Sequence, residues 1–214
     1  MADVEKYAAP SPHLRKIANP APLGLFSFAS TTLILSLVNA QTRHVTEPNI
    51  VVGMALGCGG LAQLLAGMWE FVCGNTFGAT AFSSYGAFWI SYGIIFIPGS
   101  GILDAYSTTN PAVRAGDEAN AVAFFLLAWF IFTFCILLAS FRSNLTMVAL
   151  FFFLDLTFML LMIGAFKPEV NATKAGGGTG IVTAAIAYYA AASGLMTPQY
   201  SYFPFPTGEL PKNA

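Results

Sequence analysis

Charge is what this sequence has least of. Of 214 residues only 9% are Asp, Glu, Lys or Arg, where water-soluble domains carry roughly a quarter. The nine basic residues are scattered and the formal net charge is -1, which leaves no electrostatic footprint for nucleic acid. The two histidines, His13 and His44, fall outside the apolar runs. The three cysteines, Cys58, Cys73 and Cys135, fall in or at the edges of those runs, where a thiol acts as a small hydrophobe. No Cys and His spacing suits a metal or a disulfide framework. No Ser/His or Cys/His set lies within the runs, so neither an enzyme nor a cofactor is expected. Long polar stretches are missing too, so no soluble domain is interposed and function has to reside among the apolar segments.

What is present is apolar residues in runs of membrane-spanning length. Hydrophobic residues make up 56% of the chain, grouped at 22–40, 50–73, 81–98, 119–140, 145–166 and 180–196. A helix needs about 20 apolar residues to cross the hydrocarbon, and lipid admits only structures that satisfy their own backbone. The expected fold is an all-α integral membrane domain of six transmembrane helices over 22–197. It is flanked by an N-terminal tail at 1–21 and a C-terminal tail at 198–214. The first run reads as a span and not as a cleaved signal, because a long charged leader with a proline pair precedes it. Arg15 and Lys16 just before it favour both termini on the cytoplasmic side, and the plasma membrane is the expected location. Asn171-Ala-Thr173 forms a glycosylation sequon in a loop expected at 167–179.

Polar groups inside or beside the runs carry the functional signal. In the second run Gly53, Gly57, Gly60, Gln63, Gly67 and Glu70 recur every three or four residues, one face of a helix. The Gly53 and Gly57 pair has the spacing that lets helices approach closely. Glu70 and Asp155 are the acids within or at the ends of runs, and each is a candidate for proton handling or for an interhelical hydrogen bond. Glu70 is expected at headgroup level, Asp155 near mid-span. Gly74 to Thr80 reads as a tight turn, with a span beginning at Ala81. Gly176-Gly-Gly-Thr-Gly180 lacks the Lys-Ser/Thr ending of a phosphate loop and reads as a flexible entry to the last span. Rings such as Phe28, Tyr85, Phe88 and Trp89, set beside small polar residues, suit a narrow path that passes small solutes and obstructs hydrated ions.

Asn19-Pro-Ala-Pro-Leu-Gly-Leu25, Gly74-Asn-Thr-Phe-Gly78 and Thr80-Ala-Phe-Ser-Ser-Tyr-Gly-Ala-Phe-Trp89 closely resemble the acetate uptake transporter family. That group comprises bacterial succinate and acetate permeases and fungal acetate and ammonia-export proteins. The resemblance implies a six-helix protomer in a hexameric ring, a homo-oligomer in which each copy carries its own path for a small carboxylate. It further implies a hydrophobic constriction formed by Phe28, Tyr85 and Leu156. Asp155 stands where bacterial relatives carry an uncharged polar residue. Gln63, Asn75, Thr76, Thr80, Ser83 and Ser84 are candidates to hydrogen-bond the carboxylate, since an anion entering an apolar path exchanges water for donors or loses its charge by protonation. The expectation is a permease or channel for acetate and related short monocarboxylates, with protons as candidate co-substrate in symport. The competing readings are an ammonium or ammonia exporter and a non-transporting membrane scaffold or sensor.

Overall fold

The computed structural model describes residues 17–107, 109, 113–114, 116–167 and 169–210. The tail that bears His13, Arg15 and Lys16 lies outside these residues, and so does the end of the C-terminal tail. The described residues fold into long helices: α1 (Ala21–Asn39), α2 (Pro48–Val72), α3 (Thr76–Phe96), α4 (Asp117–Ser140), α5 (Leu145–Phe166) and α6 (Val170–Leu195). All except α3 are both long and apolar enough to cross a membrane. The 21 residues of α3 are long enough, but Gly, Ser, Thr and Tyr dilute their hydropathy because much of α3 faces the bundle and not lipid.

Two helices begin earlier than the apolar runs suggest, for different reasons. Gly74 at φ +75° ends α2, and Asn75 starts α3 at once by accepting a hydrogen bond from the Gly78 amide at 3.1 Å. The turn is therefore 73–75, and Thr76 to Thr80 form the first turns of α3. The helix stops at Phe96 because Ile97 precedes Pro98 and is extended. At the other end of the chain, α6 starts at Val170 and takes in the whole glycine run. The expectation of a loop at 167–179 is thus corrected, and the sequon falls in the first turn of the helix. Gly176, Gly177 and Gly180 are contact residues within a helix and not flexible linkers, while Gly178 meets nothing within 4 Å. A Cβ on Gly176 would lie 2.7 Å from Leu161 of α5, and one on Gly177 would strike the backbone at Asn39 and Ala40 of α1.

Two kinds of seam organise the bundle. The α1–α6, α5–α6 and α2–α3 pairs approach closely along their backbones, as expected where helices in lipid associate through small residues and van der Waals packing. Around α2–α3 the small residues are Gly60, Gly67 and Gly86; a Cβ on Gly86 would sit 2.8 Å from the Leu64 amide nitrogen. Gly53 and Gly57 meet nothing within 4 Å, so the close-approach role expected of them passes to Gly59, Gly60 and Gly67. The cause is a wide, π-helical turn over Gly57–Ala62, which rotates the face below it relative to the face above. The other seam, where α3 meets α4 and α5, is bridged by large rings. Tyr85 reaches Trp129 and Phe132 of α4 with centroids at 6.0 and 5.4 Å, and Phe88 reaches Phe158 of α5 at 5.4 Å.

The described C-terminal residues return across one end of the bundle. The Leu145 and Thr146 amides, unpaired donors at the start of α5, donate to the Gly208 and Thr207 carbonyls at 2.7 and 3.2 Å. The Thr146 hydroxyl donates to the Thr207 carbonyl at 2.9 Å, and the Tyr189 hydroxyl of α6 donates to the Pro206 carbonyl at 2.6 Å. Truncation after Met196 is expected to lower thermal stability in detergent by about 1–3 kcal/mol through loss of these bonds. An unchanged melting temperature would show that water replaces the tail without cost.

Candidate functional site

The inward face of α3 presents Phe77 and then Phe82, Tyr85, Phe88, Trp89, Tyr92 and Phe96, which from Phe82 on follow the three- and four-residue spacing of one helix side. Above Phe28 the rings of Phe88, Trp89, Tyr92 and Phe96 wall a cavity of about 230 Å³. On α1 it is lined by Asn39, Ser36, Leu35, Thr32 and Phe28, on α4 by Val122, Phe125 and Leu126, and on α5 by Leu154, Thr157, Phe158 and Leu161. From Asn39 to Phe28 the lining descends α1 for roughly 16 Å at 1.5 Å per residue. The cavity thus runs from one end of the bundle to the ring of Phe28. Its walls are mostly apolar, with Thr32, Ser36, Asn39, Thr157 and Thr173 as the small polar lining groups.

Under Phe28 the interior is filled by rings. Tyr85, 2% exposed, packs against Phe28 at 5.7 Å and stacks on Phe151 of α5 at 6.4 Å. Its hydroxyl shares a hydrogen bond of 2.9 Å with the Thr133 hydroxyl of α4, and either can donate. A buried phenol needs such a partner. Phe151 in turn packs edge-on against Phe77 at 5.6 Å. The two ring residues expected from the resemblance are therefore in contact, and they lie where the open cavity ends. Leu156, the third, is half-buried and does not line the cavity, whereas Leu154 of the same helix is buried and does.

The polar candidates divide between the α2–α3 seam and the surface. Gln63 and Glu70 are buried, each with one side-chain oxygen that has no hydrogen-bond partner. Glu70 stands two residues from the end of α2 and is 2% exposed, because Gly78 lets α3 lie directly on its carboxylate. Its Oε2 accepts a hydrogen bond from the Asn75 Nδ2 at 2.7 Å. Asn75 therefore ties the end of α2 to the start of α3, while Thr76 and Thr80 are exposed and Ser84 is half-buried. The Ser83 hydroxyl is buried against Gly67 without a hydrogen-bond partner. None of these candidates lines the cavity. Thr32 Oγ1 and Trp89 Nε1 belong to residues that do, and both atoms are buried and unpartnered. Asp155 lies inside the bundle, with Oδ1 likewise unpartnered.

A second hollow of about 310 Å³ adjoins the mouth of the first, sharing Pro48, Ile95 and Phe96. Glu47, Asp104 and Glu118 line it, and no basic residue does. Among the described residues no three His, Cys, Asp or Glu side chains are grouped to hold a metal ion.

Comparison with known proteins places this arrangement. The chain is 48% identical over 96% of its length to Ammonia transport outward protein 2 of Saccharomyces cerevisiae, covering 71% of that protein. It is 47% identical to Acetate permease A of Emericella nidulans, over 92% of this chain and 68% of that one. To the Succinate-acetate/proton symporter SatP of Escherichia coli it is 33% identical, over 91% of this chain and 97% of that protein. The solved structure of the bacterial acetate channel SatP superposes with a TM-score of 0.76 at 31% identity, covering 89% of this chain and all of that one. A family model matches residues 3–212, and with relatives this similar the chain belongs to the GPR1/FUN34/yaaH family.

Proposed function

We propose that this protein is a membrane permease for acetate and related short monocarboxylates, with six spans per protomer, α3 being the sixth. The observation that carries the reading is the cavity that ends on Phe28 over Tyr85. Its apolar walls suit an alkyl group and its few hydroxyls suit one carboxyl. The ring plug beneath would pass a solute of acetate's size only as the rings yield, and it offers a hydrated ion nothing in exchange for its water. The likeness to an acetate permease and an acetate channel supports the same substrate class. The hexameric ring belongs to this reading through the family resemblance, the cytoplasmic termini through Arg15 and Lys16 ahead of α1, and a plasma-membrane location completes it. Phe28 and Tyr85 form the constriction in it, and Leu154 is a better third member than Leu156 because Leu154 faces the cavity.

The acidic hollow at the mouth favours a second reading. Glu47, Asp104 and Glu118 repel an anion and attract ammonium, and a relative is named for ammonia transport. Purified protein in vesicles separates the two. Saturable counterflow of labelled acetate is expected, together with acetate uptake driven by an imposed pH gradient and indifferent to membrane potential. Flux of ammonia without acetate counterflow would establish the second reading, and neither flux would leave a scaffold.

A further inference from the structure

The geometry points to Asp155 as the residue that hands a proton to the permeating carboxylate, so that solute and proton cross the ring plug together as a neutral acid. The inference rests on the permease reading and names the group that would do its coupling.

Asp155 is 9% exposed, and its Oδ1 is buried without a hydrogen-bond partner. It follows Phe151 by four residues and precedes Phe158 by three, so it shares their side of α5. Those two rings contact Tyr85 and Phe88, which puts the carboxyl at the level where the open cavity gives way to the plug. At 100° per residue it also points away from Thr157, whose hydroxyl bonds Thr179 of α6 at 2.9 Å, and hence towards α3 and α4.

The neighbouring helices offer Asp155 no counter-charge. The Tyr85 and Tyr92 phenols are the titratable groups facing this region from α3. On α4 the titratable residues are Asp117 and Glu118 at the far end and the exposed Cys135. On α6 they are the exposed Lys174 and the Tyr188 and Tyr189 phenols. An ionised carboxylate is therefore unpaired in the bundle. A buried carboxylate with an open oxygen and no cation is costly, and exchange of a proton with an arriving carboxylate gives the group a use that packing does not.

The Tyr85 and Thr133 hydroxyls are bonded to each other, and Asp155 does not line the open cavity, so the transfer takes place where the solute enters the plug. In the step, the O–H bond of the Asp155 carboxyl breaks and an O–H bond forms on the solute carboxylate. The acid crosses uncharged, and Asp155 takes its next proton from hydronium on the side from which the solute came. One proton and one carboxylate move per cycle, with no net charge.

The test uses the full chain in vesicles, with protein-free vesicles subtracted for passive acetic acid. For Asp155→Asn, acetate exchange and accumulation driven by a pH gradient should both fall at least tenfold, because the solute then meets the plug as an anion with no proton donor. Accumulation equal to wild type would overturn the assignment. Because a misfolded variant would lose both as well, Asp155→Glu decides. Recovered coupled accumulation supports the role of the carboxyl, and recovered exchange without coupling refutes it. Wild-type protein without saturable exchange would sink the permease reading itself, an outcome separate from both.

Discussion

Tyr85→Ala is expected to abolish size selection. Flux of monocarboxylates of four or more carbons should rise about tenfold relative to acetate in vesicle assays, and the folded protein should lose stability. Tyr85 is the hub of the plug, in ring contact with Phe28, Trp129, Phe132 and Phe151 and hydrogen-bonded to Thr133. Truncating a buried aromatic typically costs about 3–5 kcal/mol through lost packing and the residual cavity. Here the void would open under the cavity floor, which joins the cavity to the far end of the bundle. Tyr85→Phe separates the ring from its hydroxyl. It keeps the ring contacts and should keep size selection, while stranding the Thr133 hydroxyl at a cost of about 1–3 kcal/mol. Phe28→Ala, at the cavity floor, should widen selection in the same direction. Unchanged selectivity in both alanine variants would remove the constriction from these two residues.

Much of this was legible in the sequence, for a physical reason. A chain in lipid must bury its backbone polar groups in helices, so apolar run length alone marks α1, α2, α4 and α5 to within a few residues. The starts of α3 and α6 were not legible from hydropathy, because both are set by local chemistry. Asn75 caps one, and the other runs through glycines that serve helix contact. Run length also could not show the π-helical turn in α2, which moves the close-approach role from Gly53 and Gly57 to the glycines after them. The Phe28 and Tyr85 contact came through motif resemblance. Thr133 carried its own signal, being the hydroxyl in the middle of an otherwise apolar α4, where a buried partner for a phenol is one of the few roles such a group can fill. Leu154 and Leu156 differ only in helical angle, and that angle is fixed by which face α5 turns to α3.

Gly86→Ala is the second change expected to have a large effect, and it acts through backbone and not through the path. The added Cβ would lie 2.8 Å from the Leu64 nitrogen and 2.9 Å from its Cα. Those are main-chain atoms of α2 that cannot rotate aside, so α3 must move or α2 must bend at the π-helical turn just before Leu64. Overpacking of this kind costs about 1–3 kcal/mol. Gly86 follows Tyr85 directly, so any shift of α3 also displaces the phenol from Phe28 and Thr133. The melting temperature in detergent should fall, and acetate exchange should fall with it even in the folded fraction. Gly53→Ala is the internal control: its Cβ meets nothing within 4 Å in the protomer, and alanine is the better helix former by roughly 0.5–1 kcal/mol. It should therefore leave the isolated protomer as stable as before or more so. If Gly86→Ala matched wild type in both readouts, α2 and α3 would stand further apart than this packing requires, and the glycines of that seam would need another explanation.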